Sequence, residues 1–135
     1  MTMMLDKMNR LFPLLFLVIC VAFVYGQKNK QPLKVVFYNV ENLFDTLDDK
    51  HKNDNEFLPD SKKQWNSDKY AQKIENLGRV ITSVDSVELP AIIGFCEVEN
   101  REVLEDLIHL TPLAKSPYKI LFEEGPDPRG IDVAL

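Results

Sequence analysis

Apolar and polar positions fall in blocks along this chain, and the period changes from block to block. Leu33-Lys34-Val35-Val36-Phe37-Tyr38 is a β-branched and aromatic run opening after Pro32, which predicts a buried strand ending at Asn39-Val40-Glu41-Asn42. From Asp45 to Asn66 the chain is rich in Asp, Lys and Asn and is broken by Pro59. That composition predicts a long surface loop, of a length usually functional or mobile, with a short helical turn at Ser61-Lys62-Lys63-Gln64. Tyr70, Ile74, Leu77, Ile81 and Val84 then recur at helical spacing behind Ser67, an expected N-cap, so an amphipathic helix is expected over 67–84. The run Ala91-Ile92-Ile93-Gly94-Phe95-Cys96 is apolar on both faces, as in the central strand of a parallel sheet covered by helices, and halts at Glu97. A second amphipathic helix is expected over 101–110, with Val103, Leu104, Leu107 and Ile108 inward and acidic residues in its first turns, where they favour the dipole. A strand over 118–122, a Gly/Pro turn at 125–128 and a strand from Ile131 onward complete the pattern. Alternating strands and helices predict the α/β class.

One block does not belong to this domain. Leu11 to Tyr25 is a nearly unbroken apolar run of 15 residues, preceded by Lys7 and Arg10 and followed by Gly26 and a polar stretch. A spanning helix usually needs about 20 apolar residues, so a cleaved signal peptide over 1–26 is expected, with an N-terminal membrane anchor as the alternative. Cys20 follows Ile19 where a lipidation motif wants Gly or Ala, which argues against lipidation. The expected setting is secreted or periplasmic, with no membrane association once the signal is cleaved.

Composition sharpens this. The 135 residues are 45% hydrophobic and 27% charged with a net charge of −5, which excludes disordered, collagen-like and multi-span membrane chains. Losing residues 1–26 removes two basic and one acidic residue and leaves −6, with no basic cluster, so stable nucleic-acid binding is not expected. It also leaves Cys96 as the one cysteine, so no intrachain disulfide is expected. Residues 27–135 contain no repeat or linker and read as part of one domain, expected to be monomeric. Because the chain stops at Asp132-Val133-Ala134-Leu135, inside an apolar run without turn or cap, a truncated domain is expected, with that last strand unpaired and solubility poor.

The candidate chemistry sits where strands stop. Glu41 follows the first strand and Glu97 the second, and the carboxyl ends of parallel strands form the ligand crevice of α/β sheets. If the strands are neighbours, about 4.8 Å apart, the two carboxylates converge. Two carboxylates so close call for a cation or a proton, and Mg²⁺, which favours one or two carboxylates, waters and phosphate oxygens, suits the pair. On pattern alone they read equally well as polar strand ends. Asn39, two residues before Glu41, adds an amide that could orient a phosphate or tie down a loop.

These residues resemble a known family. Val35-Val36-Phe37-Tyr38-Asn39-Val40-Glu41-Asn42 is similar to the first motif of the endonuclease/exonuclease/phosphatase superfamily, Gly94-Phe95-Cys96-Glu97-Val98-Glu99-Asn100 to its second, and Asp127-Pro128-Arg129-Gly130-Ile131-Asp132-Val133-Ala134-Leu135 to a following turn and strand, nearest to the exported bacterial branch. The resemblance implies a four-layered α/β sandwich of two mixed β-sheets flanked by helices, and phosphoester hydrolysis by activated water at a divalent metal, Mg²⁺ or Mn²⁺. It implies Asn39 as the active-site asparagine, Glu41 and Glu97 as metal ligands, and Arg129 and Gly130 as a substrate-approaching turn. The substrate class it implies is nucleic acid, phospholipid or a small phosphodiester.

Departures narrow this. Cys96 replaces the usual Gln and is expected to be a small buried core residue. Glu99 stands where DNA-cutting relatives carry a basic residue, so an acid there is expected to repel DNA and favour a smaller phosphoester. The family's Asp-x-Asn and late Asp-His elements have no counterpart; His51 and His109 are expected to be solvated. The acidic residues from Asp45 to Glu56 lack the Gly and bidentate Glu of a calcium loop and are expected to be solvated too. Trp65 and Tyr70 are expected to pack as a staple at the helix start. Two hypotheses follow: a metal-dependent phosphoesterase of which this chain is the N-terminal part, inactive alone, or a secreted non-catalytic α/β fragment or binding module.

Overall fold

The first strand, β1 (Val35–Leu43), runs five residues beyond Tyr38 and carries Asn39, Glu41 and Asn42 within it. The computed structural model describes residues 32–85 and 87–135. The targeting segment expected over 1–26 lies outside the described residues. β1 is followed by a 3-10 turn at Asn55–Phe57, helix α1 (Ser67–Ser83), strand β2 (Ile92–Val98), helix α2 (Arg101–His109), a 3-10 turn at Pro112–Lys115, and two short strands, β3 (Phe122–Glu123) and β4 (Asp132–Ala134). This is the α/β class expected, with a mixed sheet in the order β1-β2-β4-β3. β2 lies parallel to β1, and β4 is antiparallel to both β2 and β3.

The sheet divides its residues between two environments, as the period of two in a strand requires. Val36, Tyr38, Val40, Ile93, Phe95 and Ala134 join Ile74, Leu77 and Ile81 of α1 and Val103, Leu104 and Leu107 of α2 in one core. The register puts Val35 opposite Ile92, Phe37 opposite Gly94 and Cys96 opposite Val133 on the other face. Among the described residues nothing covers that face: Phe37 is 80% exposed and Val133 62%. Cys96 lies there, half-buried, rather than in the core, because its position in β2 has the parity of the uncovered face.

Both helices begin at asparagines. Asn66 is extended and its side chain accepts the Lys69 N–H at 3.1 Å, so it caps α1 in place of Ser67, which is already helical. Asn100 does the same for α2 by accepting the Val103 N–H at 3.0 Å. Val84 lies past the end of α1 and is exposed. The Tyr70 hydroxyl donates to Asp106 at 2.7 Å and ties the two helices together. No helix among the described residues is long and apolar enough to cross a membrane.

Several expectations fail because segments distant in sequence meet in space. The 45–66 loop is pinned, with Phe44 stacked on Phe57 at 4.1 Å and Trp65 edge-on to Phe57 at 6.0 Å, so Trp65 pairs with Phe57 rather than Tyr70. Its 3-10 turn is at Asn55–Phe57, under that stack, while 61–64 closes only as a turn. Asp54 is 1% exposed rather than solvated, accepting the Asp49 N–H at 2.9 Å. The last strand is not an unpaired edge: β4 lies between β2 and β3, and Leu135 exchanges two main-chain hydrogen bonds with Leu121. The strand expected over 118–122 is reduced to β3, whose pairing to β4 begins at Phe122.

Gly78 shows how closely α1 approaches the segment after α2. A Cβ at this position would lie 2.6 Å from Thr111 Cβ, and Thr111 is buried with its hydroxyl donating to Leu107 O. Gly78→Ala gains about 1 kcal/mol of helix propensity and meets an overpacking cost of about 1–3 kcal/mol. The expected net is a lower urea midpoint; a midpoint raised by the substitution would show that the helix can shift away.

Candidate active site

Regular pairing between β1 and β2 breaks at the motif residues. Asn39 pairs with Cys96 and Leu43 with Val98, so three residues of β1 (Val40, Glu41, Asn42) stand against one of β2, Glu97. On its other side β2 also bulges at Glu97, since Cys96 pairs with Val133 and Val98 with Asp132. Bulges re-aim side chains next to functional sites. Here Glu41, Asn42 and Glu97 adopt φ of 54°, 62° and 66°. Left-handed non-glycine backbone costs about 1–3 kcal/mol per residue and persists only where the surroundings enforce it. Asn tolerates that region through its short polar side chain; glutamate has no such excuse.

Hydrogen bonds across the bulge supply the enforcement. Asn39 Nδ2 donates to Glu97 Oε1 at 2.9 Å, and the Asn42 N–H donates to Glu97 Oε2 at 3.1 Å. The Glu41 N–H donates to Asn39 Oδ1 at 2.7 Å, so Asn39 spans both acidic positions. Farther along, the Glu99 N–H donates to Leu43 O at 3.1 Å, the Asp45 N–H to Glu99 Oε2 at 2.7 Å, and Asn100 Nδ2 to Asp45 Oδ2 at 3.1 Å. The two strand ends are laced together over their whole exit.

The residues singled out from sequence are therefore partly united. Asn39 and Glu97 are bonded directly, and Glu41 joins through its main chain; its carboxylate is exposed and makes no hydrogen bond among the described residues. Arg129 sits in the turn before β4, gripped by Asp127 at 2.8 and 3.1 Å, which raises the guanidinium pKa further and lowers that of Asp127. The Glu97 carboxylate acts on Arg129 as well, so the turn belongs to the same neighbourhood. Gly130 has φ +72°, a left-handed position where glycine fits, and packs on Lys52. His51 and His109 are exposed and join no hydrogen bond to these residues.

Other participants escaped the sequence reading. Lys73 Nζ donates to the carbonyls of Glu41 at 2.6 Å and Asn42 at 3.2 Å. Burial lowers its pKa, while the Glu41 and Glu97 carboxylates work the other way. One signal was present: Lys73 lies three residues after Tyr70 and four before Leu77, on the margin of an apolar stripe where a charge needs a partner. Glu99 is half-buried, and burial, with repulsion from Asp45, Asp54 and Asp49, pushes its pKa up to about 8 despite the Asp45 N–H bond.

Could these residues take a divalent ion? Among the described residues no three Asp, Glu, His or Cys side chains assemble into a metal cage. The donors present are two carboxylates, one of them uncommitted, beside an amide. That set lacks the nitrogen or sulfur ligands of a zinc site and fits Mg²⁺ or Mn²⁺, which keep most of their waters.

The profile of the endonuclease/exonuclease/phosphatase family matches residues 34–135. The chain belongs to this family. No curated protein and no solved structure matches the chain. The matched stretch includes both bulged strands, the Arg129–Gly130 turn and β4, so the laced strand ends lie within the matched family domain.

Glu99 gives the site a pH signature. Its unfolded pKa is near 4.5 and its folded pKa about 8, so between these values the folded chain holds a proton that the unfolded chain has released. Stability is expected to fall as pH rises through that window and to level off above it, with Glu99→Gln flattening the profile. Urea midpoints across the range measure this, and an unchanged slope in the variant would assign the dependence elsewhere.

Proposed function

We propose that this chain supplies the metal-holding part of a Mg²⁺-dependent phosphoester hydrolase, with Mn²⁺ an acceptable substitute. Glu97 and Glu41 are the proposed ligands and Asn39 the group that orients Glu97 and the phosphate. The observation that carries the reading is the Asn39–Glu97–Asn42 network at the carboxyl ends of two adjacent parallel strands. Each Glu97 oxygen accepts one N–H and retains a lone pair, and the Glu41 carboxylate, exposed at the same strand end, makes no hydrogen bond among the described residues. When bound, a divalent cation neutralises phosphate charge and lowers the pKa of a bound water. The chain's own residues do the holding: the Asn39 amide fixes the Glu97 rotamer, and the Asp127 carboxylate fixes the Arg129 guanidinium. Arg129 and Gly130 form the proposed substrate turn. The proposed substrate is a phosphoester, whether in nucleic acid, phospholipid or a small diester. The proposed setting is exported and monomeric, on the strength of the sequence alone.

A second reading, cation binding without turnover, is favoured for this chain by the position of its histidines. Among the described residues neither His51 nor His109 joins the site, so no imidazole stands ready to take a proton from water or stabilise the phosphate.

Calorimetric titration with Mn²⁺ tests the first reading: binding is expected, weakened at least about tenfold by Glu97→Gln. Equal binding by the variant would remove Glu97 from the site. With Mg²⁺ and a nitrophenyl phosphodiester, residues 27–135 are expected to show no measurable hydrolysis. Robust turnover that Glu97→Gln abolishes would show that the chain holds a complete catalytic set.

A further inference from the structure

The left-handed Glu41–Asn42 corner turns two consecutive carbonyls out of the β1–β2 ladder, and one side chain receives both. Lys73 reaches over from α1 and its ammonium donates to Glu41 O at 2.6 Å and Asn42 O at 3.2 Å. A lysine ammonium has three donors and can serve two acceptors at once. The Trp65 ring lies 5.7 Å from the same nitrogen. Trp65 is itself fixed, its indole N–H donating to Phe44 O at 3.1 Å and its ring set edge-on to Phe57. The pinned loop, the helix and the strained corner therefore meet at one half-buried cation.

We propose that Lys73 is a positioning residue for the candidate metal centre: it clamps the Glu41 and Asn42 carbonyls, so that the Asn42 N–H stays on Glu97 Oε2 and the Glu41 carboxylate stays at the same strand end. The Trp65 ring, 5.7 Å from the ammonium, flanks the clamp. The inference rests on the metal reading above for its consequence, though not for its geometry. A plain counter-ion role predicts the opposite sign. Were Lys73 only neutralising Glu41 and Glu97, removing it would leave a more negative site and tighten cation binding.

The test compares wild type, Lys73→Met and Lys73→Arg in the same chain, with thermal melting as the check on folding. Two quantities are read: the hydrogen-exchange rate of the Asn42 amide without metal, and Mn²⁺ affinity by calorimetry. Lys73→Met is expected to speed Asn42 exchange by about tenfold, the loss of one hydrogen bond of ordinary strength. It is expected to weaken Mn²⁺ binding by about 10- to 100-fold, as loss of an outer-shell partner does. Lys73→Arg, which keeps donors and charge, is expected to recover part of both. Unchanged Asn42 exchange, or Mn²⁺ bound equally or more tightly by Lys73→Met, overturns the clamp. A wild-type chain that binds no Mn²⁺ overturns the metal reading instead, and the exchange rates then decide the clamp alone. If Lys73→Met does not fold, Lys73→Gln, one bond shorter and uncharged, is held to the same two criteria.

Discussion

Glu97 accepts hydrogen bonds from the Asn39 side chain and the Asn42 main chain across the boundary between β1 and β2, and the local structure can be read outward from that carboxylate. Hydrogen bonds to a charged group contribute about 1.5–3 kcal/mol each. The three left-handed residues they restrain cost about 1–3 kcal/mol each. The two sums are comparable, so the bulge is held with little to spare and depends on its neighbours: the Asp45–Glu99–Asn100 lacing above it and Lys73 beneath it. Strain of this kind is stable only inside a rigid frame. The parallel pairing of β1 with β2 and the core of α1 and α2 provide one.

Charge is distributed unevenly around that frame. Asp45, Asp49, Asp54 and Glu99 crowd the exit of the two strands: burial and repulsion from these neighbours raise the Glu99 pKa, while Asp54 is buried with one oxygen unpartnered among the described residues. Glu41 and Glu97 differ from these. One is uncommitted and exposed, and the other is held by two N–H donors that leave a lone pair on each of its oxygens.

The sheet itself is asymmetric. Helices and the core cover one face, while Val35, Phe37, Ile92 and Val133 line the other in contact with solvent. Within the described residues the protein is a single mixed sheet with one helical layer. The α/β class rests on that sheet and helical layer, and family membership on the match over residues 34–135.

Much of this was legible in the chain. The β-branched runs, the i, i+3, i+4 stripes of Ile74, Leu77, Ile81 and of Val103, Leu104, Leu107, and the placement of Glu41 and Glu97 near the carboxyl ends of β1 and β2 follow from local period and propensity, which sequence records directly. Local pattern could not give what depends on contact between distant segments. Whether β1 and β2 are neighbours is decided by the crossover through α1, and the three-against-one bulge exists only once both strands are paired. The interior place of β4, the burial of Asp54 and the partial burial of Glu99 arise likewise from packing that local pattern does not record. Lys73 is the clearest case. Its sequence neighbours make it a charge at the edge of a helix stripe, and only the fold brings it to carbonyls more than thirty residues earlier. Sequence thus determined which residue types were available for the chemistry, because composition and period are local properties. Tertiary structure decided which of them share a site, because long-range pairing sets distance, burial and the strain that a bulge can hold.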